Sequence, residues 1–210
     1  MTKGVPTMKV EEFFSEGFRL AKPEYWTIIF NCLIYLIVGI VALFSVVGWL
    51  ALPSLVAGFT RFTLRAARGV EVDVGDSMSW AFKDGMWSKS LVYGVVSTLG
   101  ILIGFILLII PGLYLMAAWA LGWFLLVEER IRPMEALARS RELVHEVGFW
   151  KVFITIIVLQ IGIQLISLIP TVGPLLILFL YPLIVMIYVS IFEHAIKGDA
   201  QAIDADFQEN

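Results

Sequence analysis

Long apolar runs alternate with short charged segments along this chain. A helix that crosses a bilayer needs about 20 mostly apolar residues. Six such runs are present, near Trp26–Val47, Trp49–Ala66, Leu91–Ile110, Gly112–Val127, Phe149–Ile169 and Pro174–Phe192. Uninterrupted runs favour helices, because the strands of a membrane barrel would be shorter and would alternate in polarity. We therefore predict an all-α, polytopic membrane protein with six transmembrane helices.

The composition narrows the class of protein further. Hydrophobic residues make up 60% of the 210 residues and charged residues 16%, whereas soluble domains are about 45–50% apolar and about 25% charged. A water-soluble monomer and a disordered chain are both excluded on this basis. The single Cys32 excludes a disulfide scaffold and is expected to be a small buried residue. The net charge of −3 argues against a nucleic-acid partner.

The positions of the charges predict how the helices are oriented. The segment before the first run carries Glu11, Glu12, Glu16 and Glu24, and it has no short apolar core ending at a cleavage site, so we keep the first run as a span rather than a signal peptide. Three connections, 47–53, 110–112 and 169–174, carry no charge. All fifteen cations fall in the other segments: Lys3, Lys9, Arg19 and Lys22, then Arg61, Arg65, Arg68, Lys83 and Lys89, then Arg130, Arg132, Arg139, Arg141 and Lys151, and finally Lys197.

Short cationic loops remain in the cytoplasm. We therefore predict an inner-membrane protein with both termini in the cytoplasm, built as three helical hairpins. Residues 1–25 would be a cytoplasmic or interfacial helix, 26–196 the transmembrane bundle and 197–210 an acidic cytoplasmic tail.

A similar unit recurs three times. An amphipathic stretch precedes each pair of spans, a tryptophan follows near each helix entry (Trp26, Trp87, Trp150), and a proline marks each predicted hairpin turn (Pro53, Pro111 with Gly112, Pro174). The repeats would cover 10–68, 76–127 and 134–196. Coincidence is the alternative, because tryptophan is common at interfaces and proline in turns. The amphipathic stretches, Val10–Leu20, Asp76–Trp87 and Met134–Val147, are expected to lie in the headgroup plane rather than to pack as plain loop helices.

Sequence motifs for catalysis or metal binding are absent. Ser140 and His145 could form a dyad, but residues five apart on a helix face each other poorly. We expect a protein that is not an enzyme and that uses no cofactor and no metal.

Three arginines stand out at the end of the second run. Arg61, Arg65 and Arg68 have the spacing that places them on one helix face. Arg61 follows Trp49 by only 12 residues, about 18 Å of helix, so it should lie inside the edge of the hydrocarbon. It must then either extend its side chain to the headgroups or pair with an acidic residue. Candidate partners at a similar depth are Glu128, Glu129 and Glu193. The group is either a structural ion cluster or a site in which guanidinium groups hold an anionic lipid headgroup.

A few polar and small residues interrupt the spans. Asn31, Gln160 and Gln164 would either bond between helices or line a groove. Two small-residue pairs, Gly100 with Gly104 and Ala118 with Gly122, predict close helix packing, within one chain or between chains. The lack of a carboxylate in mid-membrane argues against a proton-coupled pump.

Several stretches resemble a known group of proteins. They are Leu52-Pro53-Ser54-Leu55-Val56-Ala57-Gly58-Phe59, Arg65-Ala66-Ala67-Arg68-Gly69, Asp76-Ser77-Met78-Ser79-Trp80-Ala81-Phe82, Pro111-Gly112-Leu113-Tyr114 and Glu135-Ala136-Leu137-Ala138-Arg139-Ser140. They are similar to small prokaryotic integral membrane proteins related to the membrane domain fused to some glycerophosphodiester phosphodiesterases. The resemblance would cover Val10 to Ala195. It implies a six-helix bundle with cytoplasmic connecting helices and no settled activity, and it carries over none of the phosphodiesterase chemistry.

These observations together favour a non-enzymatic protein that binds or organises lipid at the cytoplasmic leaflet. Its expected partners are membrane lipids, chiefly anionic ones, with a homo-oligomer or another membrane protein as a further possibility. The alternatives are a small-solute or lipid transporter, whose cavity Asn31, Gln160 and Gln164 would line, and a scaffold or assembly factor.

Overall fold

The described part of the chain is helical and contains no strand. The structure is a computed structural model, and it describes residues 9–71, 73–170 and 172–209, without the side chains of 46, 47, 199 and 201–209. Lys3 and the side chains of most of the predicted acidic tail therefore lie outside the described residues. The helices are α1 (Val10–Leu43), α2 (Val46–Ala67), α3 (Val74–Trp80), α4 (Met86–Leu107), α5 (Ile109–Ala118), α6 (Gly122–Glu128), α7 (Pro133–Val147), α8 (Phe149–Ser167) and α9 (Val172–Glu209).

Five segments are long and apolar enough to cross a membrane, which indicates a multi-pass membrane protein. They are Val10–Leu43, Met86–Leu107, Ile109–Glu128 (α5 with α6), Phe149–Ser167 and Val172–Gly198. The 22-residue α2 is not among the five, and its second half carries Thr60, Arg61, Thr63 and Arg65. The length and apolarity of the described helices thus support five of the six predicted spans.

The two longest helices, α1 and α9, form the main packing interface. They run antiparallel: the Phe13 carbonyl, near the start of α1, accepts a hydrogen bond from Ser190, whereas Tyr25, further along, donates to the Phe179 carbonyl. Both Phe13 and Ser190 are buried. Hydrophobic burial and hydrogen bonds thus hold α1 and α9 together, although these helices lie near opposite ends of the sequence.

The first amphipathic stretch is continuous with the first span. Helix α1 runs from Val10 to Leu43, and Glu24 has a non-helical backbone directly after Pro23. Proline lacks the N–H group that the helix ladder needs and crowds the preceding turn, so the amphipathic part and the span are one helix with a kink. The second stretch is the short α3 followed by a turn, and the third is the separate helix α7.

The prediction that prolines form the hairpin turns is wrong for Pro53 and displaced for the other two. Pro53 lies inside α2, and the connection from α1 is made at Phe44 and Ser45. Ser45 caps α2 by accepting from the Gly48 N–H at 2.8 Å. A Cβ on Gly48 would lie 2.0 Å from the Ala42 carbonyl oxygen. Glycine with a serine cap, rather than proline, therefore allows this tight turn.

The other two prolines belong to helices rather than to turns. Pro111 and Pro174 are each the third residue of a helix, α5 and α9 respectively, with Gly112 next to Pro111 in α5. The chain turns before them, at the extended Leu108 in one case and at residues from Leu168 on in the other. Proline is tolerated in a first helical turn because the N–H groups there have no intrahelical acceptor.

Helices α5 and α6 are two parts of one segment with a break at residues 119–121. The break leaves backbone carbonyls without their usual helical N–H donors, and hydroxyl groups of neighbouring helices donate hydrogen bonds to these carbonyls. Ser140 of α7 donates to the Ala118 carbonyl at 2.8 Å, and Tyr93 of α4 donates to the Trp119 carbonyl at 3.3 Å. The carbonyls of Ala118 and Trp119 at the break therefore both have hydrogen-bond donors within the bundle.

The predicted small-residue pairs pack within this chain. A Cβ on Gly100 would lie 2.6 Å from the Trp119 ring, and one on Gly104 would lie 3.0 Å from the Gly112 backbone. Gly122 is closed in by the Tyr93 hydroxyl, and Ala118 is fully buried. Close approach of α4 to α5 and α6 thus depends on the small size of the residues at these positions.

The contact of Gly17 with α9 allows a test of the α1–α9 interface. A Cβ there would lie 2.9 Å from Cα of Ile187, so Gly17→Ala must separate the two backbones. Overpacking of this kind costs about 1–3 kcal/mol. We expect the thermal unfolding midpoint of the detergent-solubilised protein to fall. Gly39→Ala in the same helix is the matched control, because its Cβ would meet nothing within 4 Å. Equal midpoints for the two variants would contradict this interface.

Candidate functional site

Arg68 joins three helices at one end of the bundle. It is the C-cap residue of α2. Its Nε and Nη2 lie 2.8 Å from Oε1 of Glu193 on α9, and its Nη1 lies 2.7 Å from Oε1 of Glu128 at the end of α6. Burial would by itself lower the pKa of the Arg68 guanidinium, but hydrogen bonds and attraction to the two carboxylates outweigh that effect and raise its pKa. Arg68 is therefore a charged structural junction.

Arg61 and Arg65 turn away from this junction and share one carboxylate. Nη1 of Arg61 lies 3.2 Å from Oδ2 of Asp76, and Nη1 of Arg65 lies 3.5 Å from the same oxygen. Asp76 is in the first turn of α3, and its own N–H is capped by Asp73. The side chain of Arg61 is 21% exposed and that of Arg65 is 33% exposed. Both guanidinium groups are thus half-buried but reachable.

Trp80 lies between two guanidinium groups. The Cζ atom of Arg61 is 4.8 Å from the centre of the ring, and that of Arg130 is 5.3 Å from it. Arg130 has a positive φ of 53°, and its carbonyl accepts a bond from Nζ of Lys89. Cation–π contact with tryptophan is favourable for arginine. Trp80 thus contacts one cation from α2 and one from the α6–α7 connection.

A small polar cavity of about 220 Å³ opens between these groups. It is lined by three arginines, one carboxylate and three apolar residues: Arg61, Arg65, Arg130, Glu128, Leu64, Trp80 and Val127. Glu128 already accepts from Arg68. Arg130 lies 3.8 Å from Asp84, beyond hydrogen-bonding distance. The cavity is therefore rich in donors directed at whatever occupies it.

A larger apolar groove of about 790 Å³ lies between α1, α2 and α9. Three aromatic rings form one end of it: Phe59 packs against Tyr35 at 5.4 Å and against Tyr181 at 5.9 Å between ring centroids. The rest of the lining is almost entirely aliphatic, namely Cys32, Leu36, Gly39, Leu52, Leu55, Val56, Pro174, Ile177 and Leu178. This groove can take a hydrocarbon chain but offers a polar solute few partners.

The three intramembrane polar residues are not brought together. Asn31 is fully buried, and neither atom of its amide group has a hydrogen-bond partner within the described chain. Gln160 and Gln164 are exposed on α8. None of the three lines the 790 Å³ groove. The cavity predicted for a solute transporter is therefore not built from these side chains.

The predicted pairing of the arginines is partly wrong. Two of the three candidate carboxylates, Glu128 and Glu193, do bind an arginine, but it is Arg68 rather than Arg61. Glu129 is the C-cap residue of α6, one position beyond. The partner of Arg61 is Asp76, which sequence reasoning assigned to an amphipathic stretch. The acidic N-terminal turn of α3, eight residues after Arg68, was the signal that could have identified it.

The remaining described polar side chains form neither the dyad considered from the sequence nor a cluster that could bind a metal. Ser140 donates to a backbone carbonyl, and the His145 ring lies 3.0 Å from the Tyr114 hydroxyl, so no Ser140–His145 dyad is formed. Among the described residues, no group of three or more His, Cys, Asp or Glu side chains could hold a metal ion.

Comparison with protein-family models, curated proteins and solved structures gives no match to this chain. The resemblance to the phosphodiesterase-linked membrane domain accordingly stays a prediction, and the function has to be argued from the site.

The Arg68 junction predicts a loss of stability that lysine does not repair. Arg68→Ala removes a fork that bonds two carboxylates at once, and Arg68→Lys keeps the charge without the planar fork. Because the three groups are partly exposed, we expect a loss of about 1–2 kcal/mol for either variant, measured as a lower unfolding midpoint in detergent. Arg132→Ala, at a side chain that is 87% exposed, is the control. Full rescue by lysine would contradict the bridging role.

Proposed function

We propose that this protein is a non-enzymatic, six-span inner-membrane protein that binds anionic lipid at the cytoplasmic leaflet. The observation that carries the proposal is the 220 Å³ cavity lined by Arg61, Arg65 and Arg130. Its cations come from two separate parts of the chain and converge on one polar space at an end of the bundle.

The arginines of the cavity have more donors than their protein partners use. A guanidinium group offers five N–H donors in a fixed fork. Arg61 and Arg65 together contact a single carboxylate oxygen of Asp76 and one backbone carbonyl. A phosphate group accepts such forks in pairs. An anionic headgroup would therefore complete a hydrogen-bonding arrangement that Asp76 satisfies only in part.

The apolar groove supports a lipid rather than a free phosphate compound as the ligand. Phe59 lines the groove and Arg61 lines the cavity, and two residues along a helix are about 3 Å apart along its axis. Residues two apart point to different sides of a helix, so the groove and the cavity open on different sides of α2 at nearly the same depth, within reach of the lipids of one leaflet. The groove extends from Phe59 to Leu52 along α2, roughly 10 Å.

The proposed topology uses α2 as the sixth span. A 22-residue helix is long enough to cross the hydrocarbon, and its arginines lie at one end, where they can reach the headgroups. Trp26 and Trp150, near the ends of spans on the charged side, are 63% and 70% exposed, as expected of aromatic residues at a membrane interface. The cationic connections would then lie in the cytoplasm, with three hairpins between them.

The groove also favours a second function, lipid transport. It is open along the side of the bundle and lined by α1, α2 and α9, so a lipid chain could enter from the bilayer. Its apolar lining makes a small polar solute a poor substrate. A role as a scaffold for another membrane complex is supported by no feature of this site.

The headgroup proposal is tested by lipid retention. The wild type and Arg61→Ala are purified in detergent, given equal amounts of phosphatidylglycerol and phosphatidylcholine, and examined by native mass spectrometry. We expect Arg61→Ala to hold phosphatidylglycerol about tenfold more weakly, since a hydrogen bond to a charged group contributes about 1.5–3 kcal/mol.

Two controls keep this test specific. Arg132→Ala removes one positive charge outside the cavity and should retain phosphatidylglycerol like the wild type. Phosphatidylcholine retention should be similar for all three proteins. Equal loss of phosphatidylglycerol in Arg61→Ala and Arg132→Ala would mean that net charge alone attracts the lipid, and the site would be rejected.

The proposed orientation is tested by labelling intact cells with a membrane-impermeant thiol reagent. In a Cys32→Ala background, cysteines at Arg132, in the α6–α7 connection, and at Gly69, after α2, should remain unlabelled until the cells are opened. A cysteine at Phe44, in the connection that carries no charge, should be labelled from outside. Labelling of Arg132→Cys in intact cells would overturn the orientation.

A further inference from the structure

Helix α8 has one face that the rest of the chain leaves uncovered. The helix packs against α1, α5, α7 and α9 on its other side. Ile154, Val158, Ile161 and Leu165 of the open face are 46%, 48%, 54% and 61% exposed. Such a face is ordinary for a helix that meets lipid, and by itself it indicates no partner.

Gln160 lies at the edge of this open side, on the row that also carries Phe153, Ile157 and Gln164. It lies 11 residues after Phe149, the first residue of α8, which is about 16 Å of helix and therefore near mid-membrane. Its side chain is exposed, and within the described chain no hydrogen bond reaches its amide group. Gln164, one turn further, is also exposed, and its Oε1 accepts from Ser167 at 3.3 Å.

A primary amide in contact with hydrocarbon is costly. Transfer of an amide from water to an apolar medium without a hydrogen-bond partner is unfavourable by several kcal/mol. Polar side chains in spans accordingly face other helices or a polar cavity. Gln160 borders neither the 220 Å³ cavity nor the 790 Å³ groove. The described residues thus leave this amide without a partner, and a neighbouring molecule in the membrane would supply one.

We propose that this partner is a second copy of the chain, bound through α8. A glutamine amide has both an acceptor oxygen and donor N–H groups, so two copies of Gln160 complement each other across a twofold axis. A twofold interface places the same residues opposite each other, and the side chains from Val152 to Ile169 carry no charge that would repel its copy. Phe153 and Ile157, half-buried on the same row, and the exposed Ile161 beside it would supply the apolar contact.

Proximity is tested first, and the sequence makes the test simple because Cys32 is the single cysteine. In a Cys32→Ala background, Gln160→Cys should form a disulfide-linked dimer when membranes are oxidised. Val95→Cys on α4 is the matched control, at a position that is 48% exposed near the middle of another span. We expect at least about fivefold more cross-linked dimer for Gln160→Cys. Equal yields would overturn the proposal.

The hydrogen bond itself is tested by energy transfer between labelled copies in phosphatidylcholine vesicles. These vesicles contain no anionic lipid, so the result is independent of headgroup binding. Gln160→Leu should associate about tenfold more weakly than the wild type, and Gln160→Asn, which keeps an amide, should retain much of the association. An unchanged unfolding midpoint for Gln160→Leu would show that the fold is intact. A wild type that is monomeric at every density, or a Gln160→Leu variant that dimerises normally, would refute the proposal, and the former would indicate a different protein as the partner.

Discussion

One guanidinium group connects three helices that lie far apart in the sequence. Arg68 ends α2, Glu128 ends α6 and Glu193 belongs to α9, and the contacts between them are 2.7 and 2.8 Å long. Because the three groups are fixed at one end of the bundle, the positions of Arg65 and Arg61, one and two turns earlier on α2, are fixed as well. The cavity that we assign to a lipid headgroup therefore depends on the ion pairs of Arg68, although Arg68 itself does not line the cavity.

The same end of the molecule combines two kinds of electrostatic contact. All three guanidinium nitrogens of Arg68 contact carboxylates, whereas Arg61 and Arg130 face the Trp80 ring and contact fewer carboxylate oxygens. A saturated arginine stabilises the fold and leaves little capacity for a ligand. An unsaturated one, held in place by an aromatic ring, is prepared for an incoming anion. Arginines of identical type and adjacent spacing thus serve different purposes because of what their helices bring near them.

Hydropathy was sufficient to predict the helical class and the positions of most helices. The third amphipathic stretch, expected over Met134–Val147, corresponds to α7 over Pro133–Val147, because its period and its N-terminal proline are local signals. Turn positions were harder to predict. The sequence predicts Pro53 as the turn residue, but the structure places the turn at Ser45. The missing side chain of Gly48 there avoids a clash with Ala42 of α1. The close contact between residue 48 and Ala42 exists only when α1 and α2 pack against each other, so the position of proline did not indicate it.

Two of the three arginines that line the cavity were predictable from the sequence, but Arg130 and the geometry of the site were not. The spacing of Arg61, Arg65 and Arg68 identified the group, and depth along the span identified Glu128 and Glu193 as acidic partners. The assignment of partner to arginine failed because α3 folds back beside α2, which brings Asp76 to Arg61. Sequence separation between the two is short, but the direction of that return depends on Ser77 and Trp80 being buried against the bundle. The uncovered amide of Gln160 likewise required knowledge of which face of α8 the other helices cover.

The break between α5 and α6 has a consequence for the order in which the chain assembles. The carbonyl of Trp119 is satisfied by Tyr93, which is synthesised earlier, but that of Ala118 is satisfied by Ser140, which is synthesised later. The N–H of Gly122 bonds the Trp119 carbonyl in place of the Ala118 carbonyl. The broken form of this segment therefore has all its hydrogen bonds only when the helices on both sides of it in the sequence, α4 and α7, are packed against it.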